Sequence, residues 1–215
     1  MRTFRDQDGL WEGHRIEDVA TPEAFYRNPK LVHEFYNQRR RQLREVKPNA
    51  AHLALVELEQ KWPGDFLLVT QNVDDLHERA GSKKLIHMHG ELKSIFCLSC
   101  DSKFRWEDDL STDHLCPQCQ KQNALRPDIV WFGEMPYEMD QITEALTSLK
   151  STDYFVAIGT SGVVYPAAGF VQWARQAKKI EVNLKESAVS DLFNQQFIGP
   201  ASVQVPELVK QLLRL

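Results

Sequence analysis

Residues 86–100 read IHMHGELKSIFCLSC, a stretch whose side chains can bind metal or move protons. His87 and His89 stand two apart and are able to do either. Cys97 and Cys100 close the stretch in a CxxC turn, and after fifteen intervening residues Cys116 and Cys119 repeat it. Each turn presents two thiolates to one tetrahedral ion. Four sulfurs leave no open coordination position, so the set reads as one structural zinc. A redox dithiol pair and an iron–sulfur site are the alternatives. Because four sulfurs saturate the ion, neither histidine is required as a ligand. The stretch is therefore expected to serve two separate sites: a cysteine staple, and a histidine acting as a base.

The 215 residues, 42% of them apolar, suffice for one domain with a small insertion. The clustering of all four cysteines favours metal over disulfides in an intracellular chain. A formal charge of -4 argues against a nucleic-acid partner held by a basic surface. No apolar run approaches the roughly 20 residues a bilayer requires, and no signal-peptide pattern is present. A soluble, cytoplasmic protein with no membrane or nucleic-acid partner is expected; nothing in the sequence fixes its oligomeric state.

The elements that must hold these residues alternate between strand and helix. Asn49 is a plausible N-cap for a helix over NAAHLALVELEQKW, which feeds a buried strand, DFLLVTQNVD. A short helix, DLHERAG, is closed by Gly81, and LIHMHGEL follows as a strand. Further on, DYFVAIGTS and KIEVNL read as strands flanking a helix over PAAGFVQWARQAKK. SAVSDLFNQQF reads as helical, SVQV as a short strand, and PELVKQLLRL as a final helix opened by Pro206. The pattern implies an α/β fold: a Rossmann-like parallel sheet with helices on both faces, spanning about 49–93 and 125–215. Residues of about 94–124 form a small zinc-ribbon insertion, and about 10–48 a helical module.

Parallel sheets bind ligands beyond the carboxyl ends of their strands. Three such ends carry small or amide residues: TQNVD at 70–74, GTSG at 159–162 and VNLKE at 182–186. Together they point to a nucleotide. His89 falls at a strand end beside Gly90. The plain alternative for it and for His87 is a hydrogen-bonded core or edge histidine, the reading given to His14, His33, His52, His77 and His114.

The helix LVHEFYNQRRRQL places Val32, Phe35, Tyr36, Arg39 and Leu43 on one face. Arg39 thus lies on an apolar stripe one turn after Tyr36, where a guanidinium wants an anionic partner. The alternative is an arginine snorkelling to solvent beside a core tyrosine. Arg40 and Arg41 are rotated away and are expected on a solvated face.

TFRDQDGLW, TQNVDDLHERAG, HMHGEL, the four cysteines, VWFGEMP, IGTSGVVYPAAGF, VNL and GPAS, in that order, resemble the sirtuins, the NAD-dependent protein-lysine deacylases. The similarity runs from Thr3 to near the C-terminus and is greatest to bacterial enzymes that also remove acidic acyl groups. It implies His89 as the catalytic histidine. It implies NAD contacts at Phe4, Arg5, Gln71, Asn72, Asp74, Gly159, Thr160, Ser161, Asn183, Leu184 and Ala201. It implies an acyl-lysine peptide lying as an added strand against Val130, Phe132, Gly133 and Glu134. Tyr36 and Arg39 match the pair that holds a succinyl or malonyl carboxylate. Cys97, Cys100, Cys116 and Cys119 would hold a zinc that takes no part in the reaction.

The family begins with a strand and a GAGxS turn that carries the diphosphate site; this chain begins MRTFR, just after that point. Either Met1 is an internal methionine mistaken for a start, the expected case, or the chain is truncated and impaired alone. As given, it is expected to bind NAD weakly. Three functions stay open: an NAD-dependent deacylase of acetyl- and succinyl-lysine, a catalytically impaired zinc-ribbon interaction module, and a mono-ADP-ribosyltransferase.

Overall fold

The computed structural model of the protein describes residues 10–11 and 13–214, so Phe4 and Arg5 lie outside the described residues. The elements begin with β1 (Leu10–Trp11), β2 (His14–Arg15), α1 (Ile16–Val19), α2 (Pro22–Arg27), α3 (Pro29–Leu43) and α4 (Ala50–Lys61). There follow β3 (Leu68–Thr70), α5 (Leu76–Ala80), β4 (Leu85–His87), β5 (Gly90–Cys97), β6 (Lys103–Arg105) and β7 (Leu125–Ile129). The chain continues through α6 (Met139–Ser148), β8 (Tyr154–Ile158), α7 (Phe170–Trp173), β9 (Lys178–Asn183), β10 (Gln195–Ile198) and α8 (Ala201–Leu212). Contacts divide it into two units. One takes the residues up to Lys47, Thr70–Asp75 and His87–Tyr137; the other takes Pro48–Val69, Leu76–Ile86 and Glu138 onward.

The second unit carries the parallel sheet, in the order β10-β9-β8. Asn49 caps α4 as expected: its Oδ1 accepts from the N–H groups of Ala51 and His52 at 2.9 and 3.3 Å, and His52 Nδ1 accepts from Asn49 N–H at 3.2 Å. Ala51, Ala54 and Leu58 of α4 pack with Val205, Leu208, Val209 and Leu212 of α8 on Ile180 and Val182 of β9. Gly81 ends α5 with φ +114°, a conformation that favours glycine.

The carboxyl-terminal elements are shifted from the expected ones. The helix expected over 187–197 is a single 3-10 turn at Ser190–Leu192 followed by β10. Ser202–Val205, expected as a strand, lies within α8, and Pro206 sits inside that helix instead of opening it. Val205, Leu208, Val209 and Leu212 are buried at helical spacing. At about 1.5–3 kcal/mol each, their burial outweighs the roughly 3 kcal/mol cost of an interior proline. The helix expected over 166–179 is confined to a 3-10 turn at Ala167–Gly169 and the four residues of α7.

In the first unit Thr21 and Asn28 cap α2 and α3, each with proline at the start of the helix. The expected face of α3 is buried, but Asn37 and Arg40 are buried as well. Arg40 is 2% exposed, which corrects its placement on a solvated face. Its Nε donates to Leu92 O at 2.6 Å and its Nη1 to Asn37 Oδ1 at 2.7 Å. Asn37 exchanges two further bonds with the backbone of Leu110, at 2.9 and 2.8 Å. The cysteine-bearing segment covers this side of the helix, a long-range contact to which helical periodicity is blind. Arg41 is exposed, as expected, and pairs with Glu34 and Asp109.

That segment is built on an antiparallel sheet in the order β6-β5-β7. Its small core joins Ile95, Leu110, Ala124 and Leu125 to Cys97 and Cys116. Among the described residues no helix is long and apolar enough to cross a membrane.

Candidate active site and metal centre

The strand expected over 85–92 is interrupted. β4 ends at His87, Met88 and His89 form a turn, and β5 starts at Gly90. Gly90 explains the close approach that follows. Its φ is +82°, and a Cβ there would meet Asp128 O at 2.0 Å. Glycine therefore lets β5 pair with β7 at Gly90 opposite Ile129. The turn is fixed by its backbone: Val130 N–H donates to His89 O at 2.9 Å, and Tyr137 N–H to Met88 O at 2.9 Å. Met88 is fully buried and anchors the turn.

His89 is half-buried, with Nδ1 3.3 Å from Gln71 O. A carbonyl oxygen only accepts, so Nδ1 carries the proton and Nε2 keeps its lone pair. Burial lowers the imidazole pKa, and the bond to Gln71 offsets that only in part. The outcome is a neutral imidazole with a basic Nε2 at neutral pH, the form a general base needs. His87 Nδ1 lies 3.2 Å from Asn72 O, so both rings lean on the same backbone segment. Asn72 N–H in turn donates to Thr70 Oγ1 at 3.0 Å, and Asp74 is buried.

In the second unit the three parallel strands end at one sheet edge, since Ile158 pairs with Val182 and Ile198 with Asn183. Gly159, Thr160 and Ser161 follow β8, Leu184 follows β9, and Ala201 starts α8 just beyond β10. Asn183 Nδ2 donates to Thr160 O at 2.7 Å, tying two of these ends together. Gly159, at φ +64°, would meet nothing within 4 Å if it carried a Cβ. An open backbone at the carboxyl edge fits a nucleotide.

Tyr36 and Arg39 are both buried, so Arg39 does not snorkel. Its guanidinium lies 3.4 Å over the Phe35 ring and donates to Phe35 O at 2.6 Å. Burial raises the Tyr36 pKa, which keeps the phenol protonated. Trp131 Nε1 donates to Tyr36 Oη at 2.9 Å.

Residues 130–134 are not a strand: β7 stops at Ile129, and Phe132 and Gly133 form a turn. Phe132 and Gly133 are exposed, whereas Val130 N–H is taken by His89 O. The Glu134 carboxylate turns inward. It accepts from Arg126 Nη1 and Nη2 at 2.6 and 2.9 Å and from Trp131 N–H at 2.8 Å. Arg126 and Trp131, absent from the sequence-derived site, link Glu134 to Tyr36: the Arg126 guanidinium lies 3.4 Å over the Trp131 ring, whose Nε1 reaches Tyr36. The available signal was an aromatic N–H donor within a motif matched for its other residues.

The four cysteines converge. Cys97 and Cys119 sulfurs are 3.7 Å apart, as are those of Cys100 and Cys116, and all four lie within 4.8 Å of one another. A tetrahedron with metal–sulfur bonds of about 2.3 Å has sulfur–sulfur edges of about 3.8 Å. The residues therefore fit a structural zinc. His87 and His89 are not members of this group, so the two sites are distinct.

These features, a glycine-backed histidine turn, an open parallel-strand edge and a four-cysteine metal module, define one class. The sequence profile of the Sir2 family matches residues 1–166, and the chain belongs to that family. An NAD-dependent protein deacylase of Bdellovibrio bacteriovorus is 62% identical over 99% of this chain and 90% of its own length. A solved Sir2 homologue mutant–ADP-ribose complex superimposes with a TM-score of 0.89 at 36% identity, covering 99% of this chain and 85% of that one. A Sir2 homologue–NAD complex gives 0.86 at 37% identity, over 99% and 83%.

Proposed function

We propose that the chain is an NAD-dependent protein-lysine deacylase that removes acetyl and succinyl groups. With one water consumed, the products are nicotinamide, the free lysine and O-acyl-ADP-ribose. NAD supplies the nicotinamide leaving group and the ribose carbon that receives the acyl oxygen. His89 Nε2 takes a proton from a ribose hydroxyl, while Gln71 O holds the opposite ring nitrogen in the donor tautomer. Gln71, Asn72 and Asp74 serve the nicotinamide ribose; Gly159, Thr160, Ser161, Asn183, Leu184 and Ala201 serve the remainder of the dinucleotide. Phe132 and Gly133 offer exposed surface to the acyl-lysine peptide. Zinc, held by the cysteines, maintains the module and does no chemistry.

The observation that carries the reading is the neutral, carbonyl-oriented imidazole beside a glycine that admits no side chain. The acidic-acyl preference is supported by Arg39, buried one helical turn from a protonated Tyr36. Arg39→Met tests it: succinyl-lysine turnover is expected to fall far more than acetyl-lysine turnover, and equal losses would refute the assignment. Mass spectrometry of the same reactions separates deacylated lysine from ADP-ribosylated protein.

A further inference from the structure

One hydrogen bond of the buried Tyr36 hydroxyl has a settled direction. An indole nitrogen can only donate, so at 2.9 Å from Trp131 Nε1 the phenol oxygen is the acceptor. Its single proton must then point to a different partner. A hydroxyl that accepts one bond also becomes a stronger donor in the next.

Trp131 is held so that this direction persists. Its peptide N–H is bound by Glu134, 2.8 Å away, and the Arg126 guanidinium lies 3.4 Å over its ring. Arg126 grips Glu134 through two bonds and donates to Ile129 O at 2.7 Å. Phe25 packs at 5.5 Å between ring centroids. The indole is 2% exposed and has no room to turn toward solvent.

We infer that Trp131 is a positioning residue for acyl selectivity, its indole N–H fixing the Tyr36 hydroxyl as a donor toward the terminal carboxylate of an acidic acyl group. The inference rests on Tyr36 and Arg39 being the carboxylate-binding pair. Acetyl brings no carboxylate, so its turnover depends little on where that proton points.

Trp131→Phe keeps an aromatic ring and removes the N–H. The ratio of kcat/KM for succinyl-lysine over acetyl-lysine peptide is expected to fall about tenfold, the effect of weakening one hydrogen bond to a charged group. Tyr36→Phe should lower the ratio at least as far, and the double variant no further than Tyr36→Phe, because the indole acts through the phenol. A ratio unchanged in Trp131→Phe but lowered in Tyr36→Phe overturns the inference and leaves the carboxylate pair standing. A Trp131→Phe variant that loses both activities together also overturns it, since that is a structural effect. Unchanged ratios in Tyr36→Phe and Arg39→Met would remove the underlying reading itself. Should Trp131→Phe not fold, the wild-type enzyme decides. Its Trp131 indole N–H resonance is expected to shift with saturating succinyl-lysine peptide and to stay in place with acetyl-lysine peptide; equal shifts contradict the inference.

Discussion

The Nδ1 of His89 faces the carbonyl oxygen of Gln71 at 3.3 Å, and this contact assigns the ring its tautomer. Burial holds the pKa below its ordinary value of 6.5. A lowered pKa keeps the base neutral to more acidic pH. Nicotinamide release with NAD and an acyl-lysine peptide should thus be flat around pH 7 and decline only below pH 6.5. A pH profile of kcat/KM checks this; an acid limb centred above 6.5 would contradict it.

Gly90 and Asp128 approach so closely that a methyl group has nowhere to go, with a Cβ-to-oxygen distance of 2.0 Å at φ +82°. Gly90→Ala must either part β5 from β7 or move His89. We expect a loss of at least about 2 kcal/mol in stability together with most of the activity. Chemical denaturation and turnover measure the two. Native stability with wild-type turnover would show that the backbone has slack the structure does not.

His33 adds an acid sensitivity of a different origin. Burial foremost, then the charges of Arg40 and His114, lowers its pKa to about 4. Its ring is 3% exposed and packs edge-on to Phe25. Between the unfolded value near 6.5 and 4, the unfolded chain binds a proton that the folded chain refuses. Stability from this residue is therefore intact above pH 6.5 and lost as pH falls toward 4, by up to about 3 kcal/mol. Urea titrations at several pH values should show this slope, and His33→Leu should flatten it. Parallel profiles for the two proteins would mean that other groups set the acid limit.

Much of the site was legible because its signals are local. Asn49 announces α4 through its side chain, Gly81 ends α5, and CxxC spacing carries its own coordination geometry. The strand ends at 159–161 and 183–184 could be placed because alternation of strand and helix fixes which edge they share. The errors arose where distant contacts decide. Arg40 reads as solvated from helical spacing, yet it donates to Leu92 O, over fifty residues away, and to Asn37, which is itself tied to Leu110. The resemblance implies a strand at Val130–Glu134, but the segment holds a turn, with the Glu134 carboxylate bonded to Arg126. Pro206 reads as a helix start, though the apolar face of α8 continues through it. Trp131 is not legible as a site residue because its partner Tyr36 lies 95 positions away.

The most direct measurement is nicotinamide release by His89→Ala, with bound zinc quantified in the same preparation. The account predicts that release with NAD and acyl-lysine peptide drops by a factor of at least about 100, the scale of general-base catalysis. It predicts one zinc per chain, unchanged, because His89 is not a member of the four-cysteine group that fits zinc. Release at the wild-type rate without this imidazole would contradict the account.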